Sequence, residues 1–434
     1  MFTFGFSNEQ ININLKNYKI MTTKNLLLAS FVCAFITNVN AQTNPAITSW
    51  KINQTGATGY GNIPSNVQQI QYSANNVYVS CSGVPDYTIG PWNGNPNVPK
   101  NQNFIYKITL NPAQNTGTLV NVGLGHIGVW SNGVSVFNAK DAMSYQNQGI
   151  WNQNAIVVEG PSFDNCLGHP APNGEYHHHL NPTCLYDDKD STHHSPIIGF
   201  AFDGFPIYGA YSFSNTDGTG NIKRMKTSYR KRNITERKIL PNGNTASSAG
   251  PAVSVSFPLG YYVEDFEFIT GLGDLDLHNG RFCVTPEYPS GIYAYFVTID
   301  DKQKAEYPYT IGPIYYGTVQ SGNIGPNSGH NVITESVTTY NSTSGIANQF
   351  PISNSQFQIS PNPTNGKFTI TLTSETGNPK SEIVIYNILG QIVYSEKINN
   401  STTQQLINLN LPKGIYLLKI QNKENIYTEK IVIE

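Results

Sequence analysis

The sequence predicts a mainly β protein, a large irregular β domain followed by a small C-terminal β-sandwich. Three observations predict it. Short runs rich in β-branched and aromatic residues alternate apolar with polar and end at Gly, Asn and Pro turns. No long stretch carries the 3.6-residue period of an amphipathic helix. Charged residues make up only 12 % of the 434 residues, against 38 Gly and 26 Tyr, a balance that suits an extracellular β protein better than a cytosolic helical one. The formal net charge of -2 gives no overall field toward nucleic acid or acidic membranes.

The N-terminus reads as an address. Lys24 precedes the apolar run Leu26 to Ile36 and the small-residue segment Val39-Asn40-Ala41-Gln42, the layout of a secretory signal. Residues 1–41 are therefore expected to be a signal peptide, with Met21 the better start and Gln42 the mature N-terminus. The run is shorter than the roughly 20 apolar residues a bilayer span needs, and no other stretch is expected to span a membrane. Cysteine usage agrees with export: Cys33 falls in the signal, leaving Cys81, Cys166, Cys184 and Cys283, an even set for an oxidising compartment. Of their three pairings, Cys166–Cys184 is favoured because the two flank one polar loop, and Cys81–Cys283 comes second.

Residues 43–318 are expected to form the large domain. Strand signals include Val67 to Val79, Phe104 to Leu110, Gly128 to Phe137 and Tyr293 to Ile299; Ser131-Asn132-Gly133 is a hairpin turn signal, and Val263 to Phe268 is read as one short helix. Lys223, Arg224, Lys226, Arg230, Lys231, Arg232, Arg237 and Lys238 form a basic run, either a solvated edge or a contact for a sulfated, phosphorylated or other anionic ligand. Residues 319–356, rich in Ser, Thr, Asn and Gly, read as a linker in which His330 is inert. Residues 357–434 return to alternating apolar blocks with corners at Asn365-Gly366, Leu389-Gly390 and Lys413-Gly414, which predicts a sandwich of about seven strands.

The chemistry-bearing stretch is Phe163 to Tyr211. It holds His169, His177, His178, His179, His193 and His194, six of the nine histidines. If Glu175 to His179 is a strand, side chains alternate faces. Glu175, His177 and His179 then share one side, and Tyr176 and His178 the other. Two imidazoles at i, i+2 converge on one cation, with zinc–nitrogen distances of about 2.0–2.1 Å. His193 or His194 is the expected third ligand, with His169 a loop residue near enough to approach. Asp203, between two Gly-Phe pairs, must be paired, hydrogen-bonded or bound to a cation, and Asp203 or Glu175 is the expected ligand or general base. Three imidazoles and a carboxylate suit Zn, Cu or Fe, with Zn or Cu preferred.

Two resemblances rest on these residues. SPNPTNGKFTI, IYNILGQIV, LPKGIYLLKI and the closing KIVIE resemble the C-terminal sorting domain of type IX secretion cargo. That resemblance implies the type IX machinery as a partner of residues 357–434, and secretion or display on the outer cell surface. GVWSNGVSVFNAKDAMSY, GHPAPNGEYHHHLNPTCL, HSPIIGFAFDGFPIYG and GDLDLHNGRFCVTPEYPSGIYAYFVT resemble the YHYH proteins over roughly residues 120 to 316. Their Tyr-His-Tyr-His motif lands on Tyr176, His177, His178 and His179. The chain departs from it at His178, where the motif has Tyr, and has His278 where similar proteins often have Cys. The resemblance points to the His177 and His179 pair and leaves the reaction open. Whether the protein is an enzyme is open too; a metal-dependent hydrolase or oxidoreductase is the form an enzyme would take. The competing reading is a non-catalytic module binding glycans or a surface through Trp92, Trp130, Trp151, Tyr208 and Tyr211. There is no GxSxG elbow for serine catalysis.

Overall fold

The computed structural model of the chain describes residues 43–341, 357–372, 381–387, 391–398, 404–421 and 426–433. The expected signal segment lies outside them. The chain divides into two compact units, Met1–Ser342 and Thr343–Glu434.

The first unit runs through β1 (Val67–Tyr72), β2 (Asn76–Cys81), β3 (Phe104–Thr109), β4 (His126–Trp130), β5 (Ser135–Phe137), β6 (Lys140–Ser144), β7 (Asn152–Asn154), β8 (Gly168–Pro170) and β9 (Tyr176–His178). It continues through β10 (Ile197–Ala201), β11 (Pro206–Tyr208), β12 (Tyr211–Phe213), β13 (Ile222–Arg224), β14 (Tyr229–Lys231), β15 (Phe266–Phe268), β16 (Gly280–Cys283), β17 (Ile292–Phe296) and β18 (Thr338–Thr339). An eight-stranded sheet, ordered β16-β17-β11-β10-β4-β5-β9-β8, is the frame, and a four-stranded sheet, β18-β1-β2-β3, accompanies it. Val67, Ile70, Val79, Phe104 and Tyr106 of the smaller sheet share a core with Phe200, Tyr208 and Phe296 of the larger. Trp130, Val136, Ile198, Ile207 and Tyr295 build a second core. A strand feeding two cores loses its polar alternation, and β4 is accordingly buried at every residue.

The β4–β5 hairpin turns at Ser131-Asn132-Gly133, as its sequence predicts. Gly133 sits at φ +82°, and a Cβ there would lie 2.5 Å from Cys81 Cβ, so both backbone and packing require glycine. The Val67–Val79 signal resolves into the β1–β2 hairpin.

Other expectations change. Val263–Phe268 is one 3₁₀ turn, Val263–Asp265, leading into strand β15 rather than a helix; the segment is too short to bury a helical stripe. The stretch read as the start of the linker packs on the first unit up to residue 341. Asn323 Nδ2 donates to Lys107 O, Asn331 Nδ2 donates to Ile105 O at 2.8 Å, and β18 pairs with β1. Cys166 and Cys184 form a disulfide, whereas Cys81 and Cys283 are buried free thiols. The basic run is not an open cationic face. Lys223, Arg224, Arg230, Arg237 and Lys238 each face a carboxylate.

Among the described residues the second unit holds seven strands, β19 (Phe357–Ser360), β20 (Lys367–Leu372), β21 (Ser381–Tyr386), β22 (Ile392–Ile398), β23 (Gln404–Asn408), β24 (Gly414–Gln421) and β25 (Ile426–Ile433). They form a three-stranded sheet, β19-β20-β23, and a four-stranded sheet, β22-β21-β24-β25. Phe368, Ile370 and Ile407 of one meet Ile383, Ile385, Leu418 and Ile431 of the other in a common core. That is the sandwich arrangement the alternating blocks predict.

Arg237 and Asp265 are both wholly buried. Arg237 Nε and Nη2 donate to Asp265 Oδ1 and Oδ2 at 2.7 and 2.8 Å, and the guanidinium also serves the carbonyls of Pro251, Phe257 and Pro258. Arg237→Met leaves a buried carboxylate without its partner. The expected loss is about 3–5 kcal/mol, read as a lowered urea midpoint with unchanged slope.

Candidate metal centre

The centre is assembled on a short hairpin at the edge of the large sheet. β8 and β9 pair antiparallel with His169 directly opposite His177, and β9 pairs in parallel with β5 through Ser135↔His177 and Val136↔His178. Directly opposed residues project to the same face. His179, two residues beyond His177, projects there too. The result is a buried trio, with His169 Nε2 3.1 Å from His177 Nε2 and His177 Nε2 3.1 Å from His179 Nε2. The ligand atoms of the three all lie within 4.8 Å of one another.

The opposite ring nitrogens fix the tautomers. His177 Nδ1 lies 3.1 Å from Glu175 O, and His179 Nδ1 2.5 Å from Asn138 O. A carbonyl only accepts, so both Nδ1 atoms carry the proton. His169 Nδ1 lies 2.8 Å from Ser162 Oγ, whose own hydroxyl donates to Glu159 O at 2.8 Å. Ser162 therefore accepts from His169. In a neutral ring so held, Nε2 carries the lone pair, the form in which imidazole binds a metal, and all three Nε2 atoms face the common point.

A carboxylate stands beside the trio. Asn154 caps the one-turn helix Ala155–Val158 by accepting from Ile156 N, and Glu159 follows as its C-cap. Glu159 Oε2 lies 2.9 Å from His179 Nε2 and 3.8 Å from His169 Nε2. Phe137 stacks on His177 at 3.9 Å between centroids, and Phe163 packs against His169 and His179. The Glu159 side chain keeps 27 % exposure against 3 % for His179, but its Oε2, the oxygen nearest the rings, is buried like them.

Electrostatics follow this geometry. Burial, joined by the neighbouring imidazoles, holds His177 well below the ordinary histidine range. Burial and His179 bring His169 down to about 4, against the pull of Glu159. Burial opposes the charge of Glu159, but His179 and His169 outweigh it and keep its carboxyl below the usual range. Asp141, on β6, moves the other way, raised by burial and then by Glu159.

The other expected site residues lie elsewhere. The third imidazole is His169, not His193 or His194. His193 is exposed and bonded to Asp190, and His194 is held by Ser195 O at 2.7 Å and Ser212 Oγ at 2.9 Å. Glu175 shares the strand face as expected, but its carboxylate goes to His126, with Oε1 2.5 Å from Nε2. Asp203 is a structural acceptor, taking Tyr295 OH, Gly317 N at 2.8 Å and Phe205 N at 3.3 Å. Burial pushes it up to about 6. His178, on the other face, has no hydrogen-bond partner at either nitrogen. His278 Nδ1 is taken by Ile314 O at 2.9 Å. Of the aromatics expected to stack on sugars, Trp130, Trp151 and Tyr208 are core residues. Trp92 lines an open groove with Tyr60, Pro91, Asn95 and Pro96. Glu159 carried no sequence signal, since nothing near it repeats the histidine spacing. His169 carried one that was readable only with the hairpin register in hand.

His194 makes the first unit sensitive to acid. Burial holds it down to about 4, Ser195 O pulling the other way and Arg281 adding to the depression, while the unfolded chain titrates near 6.5. Between those values the unfolded state binds more protons, so stability falls as pH drops from about 6.5 and the loss saturates below about 4. In His194→Gln the slope of urea stability against pH in that window should fall by up to one proton.

Comparison with known families places these residues. A family model described as YHYH protein matches residues 105–307, which contain all three imidazoles and Glu159. A second, described as a secretion system C-terminal sorting domain, matches residues 358–434. A search of curated proteins finds no match. Among the described residues no helix is long and apolar enough to cross a membrane. The chain thus carries a YHYH domain joined to a type IX C-terminal sorting domain, and is an exported protein, secreted or held at the cell surface.

Proposed function

We propose that the YHYH domain is an extracellular metal-binding domain holding one divalent transition ion through His169, His177 and His179, with Glu159 as the fourth ligand. The observation that carries this reading is the convergence of three Nε2 atoms on one buried point. Three imidazoles and one carboxylate, without thiolate, favour zinc or copper among first-row ions.

Water could join this donor set only where Glu159 yields its place on the ion. A bound zinc lowers the pKa of a coordinated water toward neutrality, which supports hydrolysis; copper in the same set supports redox chemistry. Around it, Ser162, Glu175 O and Asn138 O orient the rings, and Phe137 and Phe163 exclude water from their flanks. The sorting domain delivers this centre outside the cell. The glycan-binding alternative keeps only the Trp92–Tyr60 groove, because three of its expected platforms are core residues.

Elemental analysis of the purified exported protein should find one equivalent of zinc or copper. Both His169→Ala and His177→Ala/His179→Ala should lose it, and Glu159→Gln, which removes a ligand, should weaken binding by at least about 10-fold, the low end of what loss of an outer partner alone costs. At a free-ion concentration a thousand times Kd, the metal should stabilise the wild type by about 4 kcal/mol. Metal content equal in wild type and the double variant would refute the assignment.

A further inference from the structure

All three imidazoles lie inside one covalent ring. The Cys166–Cys184 disulfide closes a loop of sequence separation 18, and His169, His177 and His179 all fall between its ends. Its strand pairing is short, and the loop is otherwise tied from outside by Lys100 N on Gly174 O, Asn95 Nδ2 on Pro170 O and His179 Nδ1 on Asn138 O. β8 and β9 are three residues each, β8 is the outermost strand of its sheet, and β9 meets β5 through only two residue pairs. The bridge connects directly to the hairpin's anchor. Asp164 Oδ1 accepts from Cys166 N at 2.9 Å and from Gly168 N at 3.1 Å, and the Asp164 carboxylate also takes Tyr176 OH at 3.0 Å. Cys166 is buried, whereas Cys184 is exposed, so one sulfur of the bridge is open to thiol exchange.

We infer that the Cys166–Cys184 bridge gates metal loading: the centre binds its ion tightly only when the disulfide is closed, and therefore after export. This rests on the metal-binding reading above. Reduction of the bridge takes two electrons and two protons from a dithiol, which becomes a disulfide, and leaves two thiols on the chain. The ring then opens, and the hairpin populates states in which the imidazoles no longer converge. Apparent affinity falls in proportion to the convergent fraction. In a reducing cytosol the chain would leave zinc unbound; in an oxidising compartment ring closure and loading coincide.

The test compares zinc affinity, by competition with a chromophoric chelator, for the full exported chain and for Cys166→Ser/Cys184→Ser. Serine avoids both added reductant and new thiolate ligands. The expected result is one tightly bound zinc in the disulfide form and affinity weakened by up to about a hundredfold in the variant, with the cooperative melt retained. That ceiling is the loop-closure advantage of such a ring converted at about 1.4 kcal/mol per decade. Equal affinities would overturn the gate and leave the metal reading standing. Absence of zinc binding by the disulfide form would remove both. If the variant does not fold, wild type reduced with a dithiol and exchanged into dithiol-free buffer under nitrogen replaces it. There, weakened zinc binding with a preserved near-UV spectrum supports the gate. Unchanged binding, or loss of the near-UV spectrum together with the zinc, overturns it, the latter making the bridge a staple of the whole fold.

Discussion

The centre depends on where three Nδ1 protons go. Glu175 O, Asn138 O and Ser162 Oγ each take one, and that choice turns three Nε2 atoms inward. Burial then blocks the obvious escape. Protonating one ring would place an imidazolium in an apolar surround, and the depressed titration of His169 and His177 expresses that cost. Main-chain and hydroxyl acceptors have thus fixed a donor set whose missing partner is a positive charge. Asn138 is itself held, its Nδ2 donating to Val122 O at 2.9 Å and Gly123 O at 2.7 Å. The orientation of His179 therefore traces back to the approach to β4.

A second constraint supports the first. Asp164 is a buried acceptor for Gly90 N, Trp92 Nε1, Cys166 N, Gly168 N and Tyr176 OH. One carboxylate thereby ties the groove segment, the disulfide and both strands of the histidine hairpin. Tyr176 opens the motif that names the family, and its hydroxyl is spent on this anchor rather than on the metal point. Within the motif, His177 and His179 face the donors' common point, while Tyr176 faces the support. Period-two alternation divides the four residues between the two tasks.

That division explains what was legible in the sequence. Alternation showed that His177 and His179 share a face, and alternating blocks with Gly-Asn corners showed the C-terminal sandwich. For a third imidazole, sequence density points to His193 and His194. Cross-strand register chooses His169 instead, and register depends on the Ala171–Gly174 turn, where Gly174 takes φ +84° and Gly174 N donates to Ala171 O at 2.8 Å. Glu159 arrives from the end of a one-turn helix, a placement no periodicity encodes. The linker was misread for a related reason. Asn and Gly signal loops, yet Asn323 and Asn331 use their amides to pair with β3 as a strand would.

The asymmetry of the surroundings bears on what such a centre could do. Phe137 and Phe163 close the flanks of the rings, and beyond Phe137 lies the His126–Glu175 pair. On the remaining side stand Glu159 and Asp141, one carboxyl held below its ordinary range and the other above it. Opposite displacement of two neighbouring carboxyls is the pattern by which sites divide acid from base. A cation at the imidazoles would sharpen the contrast, since it lies nearer Glu159 and would favour ionising that group first. Three imidazoles and Glu159 together fill the four positions of a tetrahedral ion, the closed arrangement of a structural site, so chemistry at such an ion would require Glu159 to yield its place to a water.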